Sequence, residues 1–219
     1  MKDIVIFGAN QFSRTLHYYV TTGSDMKVVA FTADSAYVEN DTFLERPLID
    51  FDVLPNLFPP SRCKILIGIG YSSLNKLREE KFHQIKSKGY ELANFIHPST
   101  RLPENTKLGE HVLIFEDNTI QPFVEIGDNV VLWSKNILGH DSVIEDHCFI
   151  TSATKVGGGT RVGSRSMLGI GSLLKENIRV GEDCLIGAGA VILSDTANGG
   201  IYGVPSTERS PAPSSKLKI

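Results

Sequence analysis

The chain is short of several things, and each shortage excludes a class. It has three cysteines in 219 residues, too few for a disulfide scaffold, so the thiols are expected to be reduced, in a cytoplasm. No Lys/Arg cluster interrupts a net charge of −3 (22 basic against 25 acidic residues), which argues against nucleic acid or an anionic membrane as partner. Long apolar runs are missing too. The first twenty residues hold only Ile4 to Phe7 before Asn10, Gln11, Ser13 and Arg14, shorter than a signal-peptide core, and no stretch approaches the ~18 apolar residues of a membrane span. Disorder is excluded by composition, since 41% of residues are hydrophobic and 21% charged, enough apolar surface for a core. A soluble cytoplasmic protein is the expectation.

What is present is a strict period of six. From Ile96, every sixth residue is Ile, Leu or Val through Leu102, Leu108, Ile114 and onward to Ile186 and Ile192, seventeen positions without an insertion. Glycine follows the aliphatic residue at 109, 127, 139, 157, 163, 169, 181 and 187, and four residues after it stand small or β-branched residues such as Val112, Val130, Ser142, Cys148, Thr160 and Cys184. Neither the helical period of 3.6 nor a two-residue alternation produces six. A short strand with one inward anchor and a tight corner does, with glycine relieving the corner, three such units closing one coil of a triangular β-helix. Cys148 and Cys184 then point inward two coils apart, roughly 9–10 Å and beyond disulfide reach. Cys63 precedes a separate strand and carries no motif.

Residues 1–95 alternate strand and helix. Ile4–Phe7 reads as a buried strand running into Gly8-Ala9-Asn10, followed by Phe12, Leu16, Tyr19 and Val20 at helical spacing. Val28–Phe31 is a second strand ending near Asp34, Ile65–Gly70 a third, and residues 73–88 a helix. This order implies a small parallel sheet of Rossmann type with its ligand crevice past the strand C-termini. Gly8 and Gly70 sit at strand ends, where backbone can approach a phosphate. The first turn, Gly-Ala-Asn-Gln-Phe-Ser, lacks the full dinucleotide fingerprint and does not predict NAD. Asn75 and Arg78 are placed either near a pyrophosphate or on a helix surface. The organisation expected is an α/β unit over 1–95, a β-helix over 96–196, and a tail over 197–219 with a turn at Tyr202-Gly203-Val204-Pro205.

Few groups on the column can move a proton. His140 follows the Leu138 anchor and Gly139, at an outward corner, with Asp141 next to it. Imidazole titrates near neutrality, as a general base must, and a neighbouring carboxylate raises its basicity or fixes its tautomer. An ordinary exposed histidine is the competing reading. His97 is expected to pack at the junction of the two halves. His111 and His147 fall on turns; with His140 their spacings are not multiples of 18, so three imidazoles do not converge and no metal is expected. Trp133 reads as a surface or subunit-contact aromatic.

Taken together, Ile96-His97-Pro98, Gly139-His140-Asp141 with Val143-Ile144-Glu145, Leu168-Gly169-Ile170-Gly171-Ser172, Ile186-Gly187-Ala188-Gly189-Ala190-Val191 and Gly203-Val204-Pro205 resemble the hexapeptide-repeat sugar acetyltransferases. The resemblance is to their two-domain branch, which includes the UDP-4-amino-sugar N-acetyltransferases of bacillosamine synthesis, GDP-perosamine N-acetyltransferase and sialic acid O-acetyltransferase. It implies a left-handed coil, a homotrimer, and acetyl-CoA in the groove between subunits. It also implies His140 as general base supported by Asp141, Ile170 and Ala188 lining that groove, and a nucleotide-linked amino sugar held by Asn10, Gln11, Asp34 and Gly70. A hydroxyl acceptor and a non-catalytic trimeric scaffold are the alternatives. An oxyanion donor is sought among the groove amides near Gly158. Two departures stand out. Phe149 occupies the place of a second, acetyl-CoA-contacting histidine of some relatives, and the first turn is Asn10-Gln11-Phe12 rather than glycine-rich.

Overall fold

The computed structural model describes residues 3–207 and 209; the expected fraying of the tail lies outside these residues. The N-terminal unit opens with β1 (Asp3–Phe7), whose apolar run is buried on both faces, as a parallel strand covered on both sides must be. After it come α1 (Gln11–Gly23), β2 (Val28–Ala33), a hairpin of β3 (Thr42–Phe43) and β4 (Arg46–Asp50), a single turn α2 (Leu54–Leu57), β5 (Cys63–Ile67) and α3 (Lys76–Ser87). The sheet order is β3-β4-β2-β1-β5, parallel except for β3. This is the crossover order expected, with one hairpin added. Helix α3 starts at Lys76 rather than 73 because Ser73, Leu74 and Asn75 are all left-handed, at φ 52°, 49° and 67°.

The rest of the chain is a left-handed parallel β-helix. Its strands are β6 (Phe95–Ile96), β7 (Lys107–Leu108), β8 to β21, each of two residues and six apart from Leu113–Ile114 to Val191–Ile192, and β22 (Ile201–Tyr202). They form three faces. The first carries β6, β8, β11, β14, β17, β20 and β22, the second β7, β10, β13, β16 and β19, and the third β9, β12, β15, β18 and β21. Partners pair in register eighteen residues apart, as Val131 with Phe149 and Leu132 with Ile150. The anchors and the residues four places after them fill one continuous core, Cys148 and Cys184 included, both free thiols.

Three details differ from expectation. The step at Leu102 forms no strand, although its side chain packs on the core. The segment read as a turn at Tyr202 begins instead as β22, which pairs with β20 and adds a last rung. The glycines after the anchors do not relieve a left-handed corner. At Gly139 a Cβ would run into the backbone nitrogen of Gly158 in the next coil, so glycine there lets coils stack. The left-handed residue comes two places later, at Asp141 (φ 57°).

The α/β unit sits on the first face. Phe115, Val131, Phe149 and Trp133 turn outward there and meet Phe12, Leu16, Tyr19 and Phe95 in one buried cluster. His97 packs edge-on to Tyr19 at the junction, as expected. The open edge of β5, which would otherwise expose unpaired amides, is closed when Ile65 N–H donates to Glu91 O (3.0 Å) and Ile67 N–H donates to His111 Nε2 (2.7 Å). No helix among the described residues is long and apolar enough to cross a membrane.

Candidate functional site

The predicted residues gather into three groups at three places. The first is the His140 edge, where the third face turns into the second. Asp141, held left-handed, turns its carboxylate back so that Oδ2 lies 2.8 Å from His140 Nδ1. With Nδ1 bonded to the carboxylate, Nε2 is the nitrogen left to accept a proton. The imidazole is 67% exposed, so a reactant can reach it. Gly158 lies one coil on, and a Cβ there would come within 2.7 Å of His140 Nε2. With the ring in this position, glycine is what leaves it room.

The second group is at the C-terminal ends of β1, β2 and β5. A cleft of about 650 Å³ there is lined by Gly8, Asn10, Gln11, Asp34 and Gly70, all five residues assigned to substrate. This is the switch-point crevice of an open α/β sheet. Asn10, however, spends its side chain on structure. Its Oδ1 accepts from Phe12 N and Ser13 N (2.8 and 3.1 Å) and caps α1, while Nδ2 donates to Gly68 O (3.0 Å). Gly8 (φ +118°) is needed because a Cβ would lie 2.7 Å from Ser13 Oγ. The sequence reading missed Lys81. Its Nζ is 2.8 Å from Asp34 Oδ2 and lies over the Phe7 ring, so this buried cation neutralises and orients the carboxylate at the cleft. A positive side chain five residues into α3 gave no signal of this.

Phe149 and Trp133 close the cleft from the column side. Trp133 is therefore not a bare surface aromatic: it stacks on Phe115 at 4.7 Å and meets Phe12 at 5.6 Å. Phe149, assigned to the acyl end of the acetyl-CoA groove, is 2% exposed beneath Phe12 and Tyr71. It projects from the first face, opposite the His140 edge, and belongs within one chain to the cleft.

The third group, Ile170 and Ala188, is exposed on the edge where the first face turns into the third, with Gly189 N–H donating to Ile170 O (2.8 Å). The third face lies between them and His140. Along it Ile137, Leu173 and Val191 turn outward and exposed.

Asn75 and Arg78 line no cleft. Arg78 is fully buried and ties the two halves together. Its guanidinium donates to Gly70 O and Asn75 Oδ1 on one side, and to the carbonyls of Asn129, His147 and Cys148 on the other. Burial pulls it down to about 9, still charged at neutral pH.

His111 and His147 do share a column, two coils apart, and Asn129 joins them. Because Ile67 N–H donates to His111 Nε2, the proton of that ring is on Nδ1 and is given to Asn129 Oδ1 (2.9 Å). Asn129 Nδ2 then donates to His147 Nδ1 (2.9 Å), leaving Nε2–H of His147 facing Glu79, 3.6 Å away. Burial is the largest cause holding both rings neutral, taking His111 down to about 3 and lowering His147. Glu79, His83 and His147 offer ligand atoms within 4.8 Å of one another. The bonding pattern, however, makes His147 Nε2 a donor, so the trio does not read as a metal site.

No family model matches the chain. Among solved structures it is similar to PerB from Caulobacter crescentus in complex with CoA and GDP-perosamine, at 24% identity over 93% of this chain and 95% of that one, with a TM-score of 0.83. It is similar to the acetyltransferase domain of PglB from Neisseria gonorrhoeae at 20% identity over 93% and 97% (TM-score 0.80). To WeeI from Acinetobacter baumannii the figures are 19% over 92% and 96% (TM-score 0.70). The whole architecture, α/β unit and β-helix together, is thus the one these proteins share.

Proposed function

We propose that the chain transfers an acetyl group from acetyl-CoA to the amino group of a nucleotide-linked amino sugar, with His140 as general base. The observation that carries this is the exposed His140–Asp141 pair beside Gly158, on a fold similar to that of PerB, whose structure holds CoA and GDP-perosamine. The nucleotide sugar occupies the cleft of the α/β unit, where Gly8, Gln11 and Gly70 present backbone and Asp34 and Lys81 present charge.

His140 Nε2 removes a proton from the sugar amine as the nitrogen attacks the thioester carbonyl. Asp141 stabilises the imidazolium, and the Gly158 amide donates to the carbonyl oxygen as it becomes an anion. The tetrahedral adduct collapses by breaking the carbon–sulfur bond. The imidazolium then returns the proton to the thiolate of coenzyme A. None of the three cysteines is exposed, and burial raises the Cys148 thiol to about 12, so no covalent acyl-enzyme enters the scheme.

Within one chain the base and the cleft lie on opposite sides of the column. The reaction therefore needs a second copy, in a homotrimer whose third faces and their edges adjoin the neighbouring cleft. Acetyl-CoA then lies between His140 of one copy and Ile170 and Ala188 of the next. The reading is tested by measuring coenzyme A release from acetyl-CoA with UDP-, dTDP- and GDP-linked 4-amino sugars. Wild type should turn over at least one, and His140→Ala should lose about 100-fold or more. Full activity of that variant would remove the mechanism.

A further inference from the structure

On the His140 edge, one polar side chain has no role in the scheme above. Gln121, one coil before His140, follows the Ile120 anchor, a place where eight of the seventeen repeats carry glycine. Its Oε1 accepts the main-chain N–H of His140 at 2.8 Å. Beside it, Asp141 N–H donates to Pro122 O (3.2 Å), and from the next coil Gly159 N–H donates to His140 O (2.8 Å). The His140 peptide is thus gripped at both ends. At the place two residues after the anchor on this edge, no side chain accepts from Gly158 or Glu176 among the described residues; one coil earlier a side chain grips the neighbouring place instead, where Phe123 N–H donates to Asn105 Oδ1 (3.1 Å).

The grip matters because of the backbone it controls. Asp141 is left-handed at φ 57°, as Phe123, Gly159 and Asn177 are at the same corner of the neighbouring coils, and in this turn its carboxylate comes back to His140 Nδ1 (2.8 Å). We infer that Gln121 is a positioning residue for the catalytic pair, fixing the His140 main chain so that Asp141 holds the imidazole with Nε2 aimed outward. This rests on the acetyl-transfer reading.

The same construction recurs away from the site, where Ser164 N–H donates to Glu145 Oε2 at 3.2 Å. It supplies an internal comparison, since a purely structural bond should behave alike at both places. Gln121→Ala removes the acceptor, Gln121→Glu keeps it and adds a charge, and Glu145→Ala removes the comparison bond. In steady-state kinetics Gln121→Ala should lower kcat about tenfold, with KM for both substrates and Tm near wild type. Gln121→Glu should recover most of kcat and move the acid limb of the kcat/KM profile to higher pH, because a nearby carboxylate favours imidazolium. Glu145→Ala should leave kcat and that limb unchanged. Wild-type kcat in Gln121→Ala, or a loss seen only as lowered Tm, overturns the inference. Nitrogen NMR of the His140 ring supplies a readout independent of turnover. The Nδ1–H signal bonded to Asp141 should be present in wild type and broadened or lost in Gln121→Ala, and an unchanged signal counts against the role. If wild type turns over no amino sugar, the acetyl-transfer reading fails, and the spectrum alone then decides what Gln121 does.

Discussion

Acidification should weaken the seat of the α/β unit on the column, and His111 allows the size of the effect to be worked out. In the folded chain its Nε2 accepts from Ile67 N–H and its Nδ1–H is given to Asn129; burial, the largest cause, takes it down to about 3. Unfolded, it titrates near about 6.5. A folded-state value below the unfolded one means that the unfolded chain takes up the proton first. The contribution is therefore complete above about pH 6.5 and is lost progressively as pH falls toward 3. Between pH 7 and pH 5 the loss is about 2 kcal/mol from this group alone. The perturbation is His111→Gln, which keeps an acceptor for Ile67 N–H but does not titrate. Urea denaturation of both proteins at pH 7 and pH 5, at one protein concentration, should show wild type losing about 2 kcal/mol more than the variant. Equal losses would refute the bonding pattern assigned to His111, Asn129 and His147.

Other consequences follow from the same contacts. Gly157→Ala places a Cβ against the backbone of Glu176 in the next coil and should cost about 2–3 kcal/mol in urea melts. Gly171→Ala meets open space at φ +68° and should cost only about 1 kcal/mol. Arg78→Ala removes the donor from five oxygens, of which, among the described residues, Cys148 O alone keeps another, Val131 N–H; stability should fall by more than about 3 kcal/mol, and a variant that still folds should show a raised KM for the sugar nucleotide. Acetyl-CoA at a hundred times its Kd should stabilise the protein by about 2.7 kcal/mol in calorimetry, and no shift at all would favour a scaffold over an enzyme.

Much of this architecture was legible because a period of six has one physical solution. Each anchor from Ile96 to Ile192 points inward whatever its neighbours do, and His140 falls outward by counting from Leu138. The period does not say which face the α/β unit covers. Phe149 was therefore placed by its distance from His140 in sequence, and the three-sided winding puts it on the opposite side. The β3–β4 hairpin went unread because its turn, Leu44–Glu45 at φ 50° and 59°, adopts left-handed geometry without the usual Asn-Gly. Lys81 and Arg78 look alike along α3, yet one lines the cleft and the other is sealed beneath it. Only tertiary packing separates them. The link through Asn129 needed 111 and 147 compared as a pair, 36 residues apart, without His140 between them.

The measurement that tests the account most directly is complementation between two inactive variants. His140→Ala lacks the base, and Gly70→Trp fills the cleft from a lining position where an added Cβ would meet no protein atom within 4 Å. If one copy supplies the base and its neighbour the cleft, refolding the two together in equal amounts should restore about one quarter of wild-type acetyl transfer, because a quarter of randomly assembled sites pair an intact base with an intact cleft. Mixed assemblies that form but stay inactive, or a wild-type protein that is active as a monomer, would contradict it.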